Sequence, residues 1–511
     1  MSSIAAALAP IGRWIDRLFA PWNARLNPIL VKEVRQALRG RYFTIVFWIM
    51  VALATVIGCM LLVEQGRKGD PDGGIVFFLA MYSCLSVAVH VFVPFSAFLS
   101  VGAEWDENTY DLLVLSNLGP YQIVFGKLLS ACVQTLLFYC AFGPFLVFAF
   151  LLRGLDLLGA AWILGGTLVT SFGLISLALC FSSLVRHRFA RVLMMALLAA
   201  ALIWCTGGSI LFSTTLFEER FLHTPEFPPA ALTVLSAAAF VGFFSLAFAA
   251  TRFMHVEENR STLLRVLTTV LTLAGLGWMA YFYLTFKEPE ILGVIGTMTL
   301  VAITLLGTTF VAEPEALGRR VRRQVPRNPV LALASLPFFP GGARGVVHYA
   351  FNALLLFAGG AALYLFAPPS SPLRDHWQVA PFLFFVYLLA YLAVPTAFLA
   401  RWTGDLKVRI LSRLLVPFVA AMGFVVPSIL GFLFGSSEMM RGRHPGNPVW
   451  LVEEIVRDGR WGLALPAALF GLVTLVVNLP RLTKAIRETL TCSDQAPPVA
   501  GASASHAGPD A

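Results

Sequence analysis

Twelve apolar stretches dominate this chain, each about twenty residues long, the length a helix needs to cross the hydrocarbon core of a bilayer. They lie near 42–63, 75–102, 121–151, 158–184, 192–216, 230–251, 266–286, 291–311, 346–366, 379–400, 411–435 and 461–479. Inside lipid each backbone N–H and C=O must be paired within the protein, which makes such spans helical. The expected fold is therefore an all-α polytopic membrane protein with about 12 transmembrane helices. Composition excludes a soluble enzyme: 58% of the residues are hydrophobic and 13% charged, about half the charge of a soluble domain. The first run follows about forty other residues and is too long for a signal-peptide core, so it counts as a span.

Lys and Arg accumulate in the short loops on the cytoplasmic side of a membrane. With the N-terminus inside, 27 of the 37 basic residues fall in inside segments, and none lies in the middle of a span. The 28 acidic residues divide evenly, leaving a net +13 inside and −4 outside. Both termini are expected to be cytoplasmic, and the net +9 reads as a topology signal with no nucleic-acid partner. Arg319, Arg320, Arg322 and Arg323 are expected to anchor a cytoplasmic face in anionic headgroups. The seven cysteines form no C-x-x-C pair and the eight histidines are scattered, a pattern without a metal centre or disulfide framework.

Ahead of the first span, Ile29 to Arg41 carries Leu30, Val31, Val34 and Leu38 on one helical face, with Lys32, Glu33 and Arg35 among its polar positions. Pro28, after Asn27, suits a first helical turn. This segment predicts an interfacial helix running into the first span. Between the second and third spans, Glu104, Asp106, Glu107 and Asp111 face a single base, Lys127, and this is the one inside loop that goes against the charge bias. Such a loop offers a docking surface to a basic partner.

The run from Glu104 to Lys127 resembles the cytoplasmic loop of type-2 ATP-binding-cassette (ABC) permeases, in which an acidic pair, Gly-Thr-Leu-Glu, a Leu pair, Thr-Pro-Leu-Ser and Ile-Val-x-Gly-Lys follow at the same spacings. Asp106, Glu107, Thr109, Asp111, Leu112, Leu113, Ser116, Leu118, Ile123, Val124, Gly126 and Lys127 occupy matching positions, while Asn108 and Asn117 replace the usual Gly and Pro. Asn27 to Arg35 is similar to that family's elbow helix. The likeness covers about residues 26–255. It implies a coupling element that inserts into a groove on a separate nucleotide-binding ATPase subunit, with Glu104, Asp106, Glu107, Thr109, Asp111, Leu112, Leu113, Gly126 and Lys127 as contact residues. Asn27, Pro28, Lys32, Glu33 and Arg35 would mark the elbow.

This chain carries no ATP site of its own. At its only Gly-Lys, Gly126-Lys127, Leu128 stands where a P-loop needs Ser or Thr, and Gly119 lies too far upstream. ATP and Mg²⁺ are therefore expected in the partner subunit, with no cofactor or metal in this chain. Asn328-Pro329 repeats Asn27-Pro28 at an offset of 301, which points to a second, partly degenerate bundle, although Asn328 precedes the ninth span and not the seventh. The expected organisation is an N-terminal segment with the elbow (1–41), a six-span permease-like bundle (42–260), a second six-span bundle (261–490) and a disordered tail (491–511).

The function these readings imply is the permease subunit of an ABC exporter in the cell membrane, working with a second copy or a second permease. A secondary transporter, or an assembly scaffold without ATP coupling, is the competing reading. Coupled carriers place ionisable groups near the bilayer midplane. Here His90, Gln134, Asn352 and Asn478 are the main polar candidates within the spans, with Asn478 expected at the headgroups. A pathway without buried charge fits an amphipathic or lipid-like cargo.

Overall fold

The computed structural model describes residues 28–68, 73–106, 119–152, 154–184, 188–218, 224, 227–254, 258–288, 290–366 and 464–494, with a few single positions between 385 and 462. Among them every regular element is a helix, and nine helices are long and apolar enough to cross a membrane. This is the architecture of an all-α multi-pass membrane protein. The nine correspond to the first nine expected spans. Those at 379–400 and 411–435 lie outside the described residues, apart from isolated positions.

Two compact units divide the chain, Met1–Met254 and His255–Ala511. In the first, α1 (Pro28–Arg39) is separated by Gly40 from the first span, α2 (Arg41–Lys68). The second span is broken in two: α3 (Gly73–Val87) and α4 (Val93–Asp106) are joined by a π-turn, Ala88–Phe92. The break has a local cause. Pro94 has no N–H to continue an α-helical ladder, and the Val93 N–H reaches back five residues to the Ala88 carbonyl. Four further spans follow: α5 (Pro120–Leu151), α6 (Leu157–Leu184), α7 (Arg188–Glu218) and α8 (Phe227–Phe253).

The start of α5 is written in Gly119-Pro120-Tyr121-Gln122. Pro120 takes the first helical position, and the Gln122 Oε1 accepts the Gly119 N–H at 3.1 Å. Phe78, Met81, Leu85, Phe138 and Phe142 fill the centre of this unit. α6 and α8 approach closely through small residues: a Cβ on Gly173 would lie 3.0 Å from the Ala238 carbonyl oxygen, and one on Gly242 would strike the Phe172 ring.

In the second unit α9 (Thr262–Phe286), α10 (Glu290–Val311) and α13 (Gly342–Phe366) pack together, joined by short helices α11 (Arg319–Arg322) and α12 (Pro329–Ala334). Asn328 caps α12 by accepting the Val330 N–H at 2.9 Å. The last helix, α14 (Ala464–Asp494), packs against α12 and α13.

α14 corrects two expectations. It continues through Asp494, past Thr491 where the tail was expected to begin, because Glu488 and Thr489 are bonded to Arg344 and Cys492 packs against Leu317, Val321 and Phe339. Asn478 is buried and does not meet headgroups: its amide donates to the Thr474 carbonyl at 2.9 Å, and its oxygen accepts from Arg481.

Candidate functional site

The two segments carrying the family resemblance meet at one point. α1 packs against α5, and Glu33 of α1 accepts a hydrogen bond from the Lys127 Nζ at 3.1 Å, both side chains almost fully buried. The apolar face of α1 explains its placement: Val31, Val34 and Leu38 are half-buried, whereas Lys32 and Arg35 are exposed. Glu33 falls on the inward side with them, and a carboxylate taken out of water there needs a cation. Lys127 supplies it from the second turn of α5.

Beside this pair a cavity of about 430 Å³ is lined by α1, α2, α4 and α5. Lys32, Gln36, Ser100 and Ser130 contribute polar walls, and Ser96 donates to the Gln134 Oε1 at 3.0 Å on its edge. Gly126 is buried in α5 next to Lys127. Glu104 and Asp106 belong to the last turn of α4. The other expected coupling residues, Glu107, Thr109, Asp111, Leu112 and Leu113, lie outside the described residues, as does Asn27; Pro28 is the first residue of α1.

His90 occupies the π-turn and is fully buried. Its partners fix its tautomer. The Thr170 hydroxyl already donates to the Gly166 carbonyl at 3.0 Å, so the contact between His90 Nε2 and Thr170 Oγ1 at 2.9 Å assigns the proton to Nε2. Nδ1 is then the acceptor for Ser86 at 3.2 Å. The Thr167 hydroxyl likewise donates to Ile163 and accepts from Tyr82 at 3.1 Å. These bonds bind α3, α6 and α7 together, since Ser86 also contacts Ser209 at 3.1 Å.

In the second unit, Asn352 accepts from the Thr272 hydroxyl at 3.0 Å and donates to the His348 carbonyl at 2.9 Å, linking α9 to α13. Near it stands a charged cluster that sequence reasoning missed. Arg265 and Arg344 are 0% exposed. Arg265 donates to Ser261 at 2.8 Å, the Pro337 carbonyl at 3.0 Å and Glu313 at 2.7 Å. Arg344 reaches the Glu315 carbonyl at 3.0 Å, Thr489 at 3.2 Å and Glu488 at 3.1 Å. Arg481 pairs with Glu315, its Nε at 2.9 Å.

Gly341 makes this geometry accessible. Its φ of +135° suits glycine, its carbonyl accepts from Arg265 at 3.1 Å and its N–H donates to Glu313 at 3.0 Å. Two of the four arginines expected at headgroups also reach carboxylates of the protein while staying exposed: Arg322 pairs with Glu488 at 3.2 Å and Arg320 with Glu258 at 3.2 Å. The readable signal was Glu313-Pro314-Glu315 at the end of one span, set against Arg265 and Arg344 in the first turns of two others.

Among the described residues no group of three His, Cys, Asp or Glu is placed to hold a metal ion. No protein-family model, curated protein or solved structure matches this chain.

Proposed function

We propose that this chain is the membrane-spanning permease subunit of an ATP-driven exporter in the cell membrane, coupled through residues 104–127 to a separate P-loop ATPase subunit that binds ATP and Mg²⁺. The observation that carries the reading is the buried Glu33–Lys127 pair, which joins the end of the coupling-loop motif to the elbow helix. A force on the loop reaches the base of α5 first. Breaking a buried ion pair by removing a partner costs about 3–5 kcal/mol, so α1 and the base of α5 respond to that force as one body. A second copy, or a second permease, would complete the pathway across the bilayer.

The test is purification of the tagged full-length protein from its native membranes, with mass spectrometry for a co-purifying P-loop ATPase and measurement of ATP hydrolysis. Glu107→Lys combined with Asp111→Lys is expected to abolish co-purification and coupled hydrolysis while leaving the melting temperature of the permease unchanged. Undiminished coupling in that variant refutes the docking role. Absence of any P-loop ATPase from the wild-type preparation refutes the whole reading.

A further inference from the structure

A second cavity, of about 320 Å³, lies in the first unit between α6, α7 and α8, with Tyr82 of α3 on its floor. Its depth follows from helix geometry. Gly166 stands nine residues after the start of α6, Gly208 ten residues before the end of α7 and Leu235 eight residues after the start of α8. At 1.5 Å per residue these positions lie about 12–15 Å from the helix ends. The helices themselves are 27–31 residues, about 40–46 Å long, so these positions stop short of their midpoints and the cavity occupies a single leaflet.

The cavity opens sideways. Phe212 and Val234 on its lining are 51% and 64% exposed, continuous with Leu211 and Leu232 on the outer faces of α7 and α8, while Ile163, Leu216 and Phe227 inside are buried. The mouth is thus part of the surface these spans turn to lipid.

Its hydroxyls do not make it a polar site. Thr167 and Thr170 donate to carbonyls of their own helix, as described above, Ser209 donates to the Thr206 carbonyl at 2.9 Å, and Ser213 to that of Ile210 at 2.6 Å. Their remaining polar contacts are with Tyr82, Ser86 and His90 in the wall. With these protons engaged, a polar ligand would lose its hydration without an equivalent return, whereas a hydrocarbon chain loses nothing.

We propose that this cavity is a binding site for one acyl chain of a bilayer lipid, admitted laterally between α7 and α8 from a single leaflet. The site stands independently of ATP coupling. Its glycines provide the means to close it: a Cβ on Gly208 meets nothing within 4 Å, and one on Gly166 meets only Leu235 Cδ2 at 3.7 Å. Gly207, equally open, does not line the cavity.

The experiment places the full-length protein in phosphatidylcholine nanodiscs doped with a phosphatidylcholine that carries a diazirine near the end of one acyl chain, followed by irradiation and peptide mass spectrometry. Adducts should concentrate on peptides containing 162–170, 208–216 and 230–235. Gly208→Phe should reduce them about tenfold, as when about two methylenes lose their burial, while Gly207→Phe leaves them unchanged. If Gly208→Phe fails to fold, Gly166→Leu should give the same loss. Adducts spread evenly over all lipid-facing helices, or undiminished by closing the cavity, overturn the proposal.

Discussion

Among the described residues of the second unit, Arg344 ties together more of the chain than its neighbours do, and the structure gives the size of its removal. Its guanidinium is wholly buried and donates to the carbonyls of Glu315, Pro340 and Ala485, to the Thr489 hydroxyl and to Glu488. Arg344→Ala deprives all of these at once. Ala485 keeps the Thr489 hydroxyl at 2.8 Å, and Glu488, 21% exposed, keeps Arg322 and the Leu317 N–H. Those residual bonds place the cost at the lower end of the range for breaking a buried pair, about 3 kcal/mol. That corresponds to about a hundredfold shift in an equilibrium. The loss is local, because Arg344 is what holds the far end of α14. Hydrogen exchange followed by mass spectrometry on the nanodisc-embedded protein should therefore show amides of 481–492 exchanging about a hundredfold faster, with α3 and α5 unaffected. Alkylation of Cys492, which packs against Leu317 and Phe339, should accelerate in step. Arg322→Gln, removing a side chain 46% exposed on the same carboxylate, should cost under about 1 kcal/mol. Unchanged protection in Arg344→Ala, or an equal effect from Arg322→Gln, refutes the assignment of Arg344 as the anchor.

Two further substitutions separate pairing from packing. Glu33→Gln or Lys127→Met alone leaves a buried charge without its partner and should lower the melting temperature in detergent and speed tryptic cleavage within α1, whereas the double variant should recover most of the loss, since an ion pair replaced by neutral groups is often tolerated; a double variant as damaged as the two singles summed excludes this pairing. Gly345→Ala would put a Cβ 2.7 Å from the Phe310 carbonyl group, where backbone must move, and should destabilise by about 1–3 kcal/mol. Gly207→Ala, facing open space in a helix, should be neutral or stabilising by up to about 1 kcal/mol on the same thermal assay.

What was legible in the sequence, and what was not, follows from the range of the interactions involved. The first nine spans could be read because a bilayer imposes a length of apolar chain, which is a property of neighbouring residues. α1 could be read for a related reason, since its face repeats every three to four residues. Glu33 and Lys127 were singled out separately, one as elbow and one as loop end, but their bond spans 94 residues and no local pattern announces it. The same holds for Glu315 with Arg481, 166 residues apart. The second half of α14 had no reading of its own beyond the cytoplasmic charge count, because nothing near Arg481 in the sequence announces Glu315 as its partner.

The arginines of this cluster nevertheless serve both readings. The positive-inside bias acts on residues as the chain inserts, before tertiary pairs form, and it counts Lys and Arg with little regard to nearby acids. Arg265 and Arg344 can therefore help orient α9 and α13 during insertion and afterwards withdraw from the surface into contact with Glu313 and Glu488. Once folded, neither contributes charge to a lipid-facing surface, because each is wholly buried beside a carboxylate. Each pair withdraws one base together with one acid, so the two pairs leave the expected inside excess of +13 unchanged. Headgroup attraction falls to the exposed bases that remain, among them Lys32 and Arg35 on α1, the helix that lies against α5.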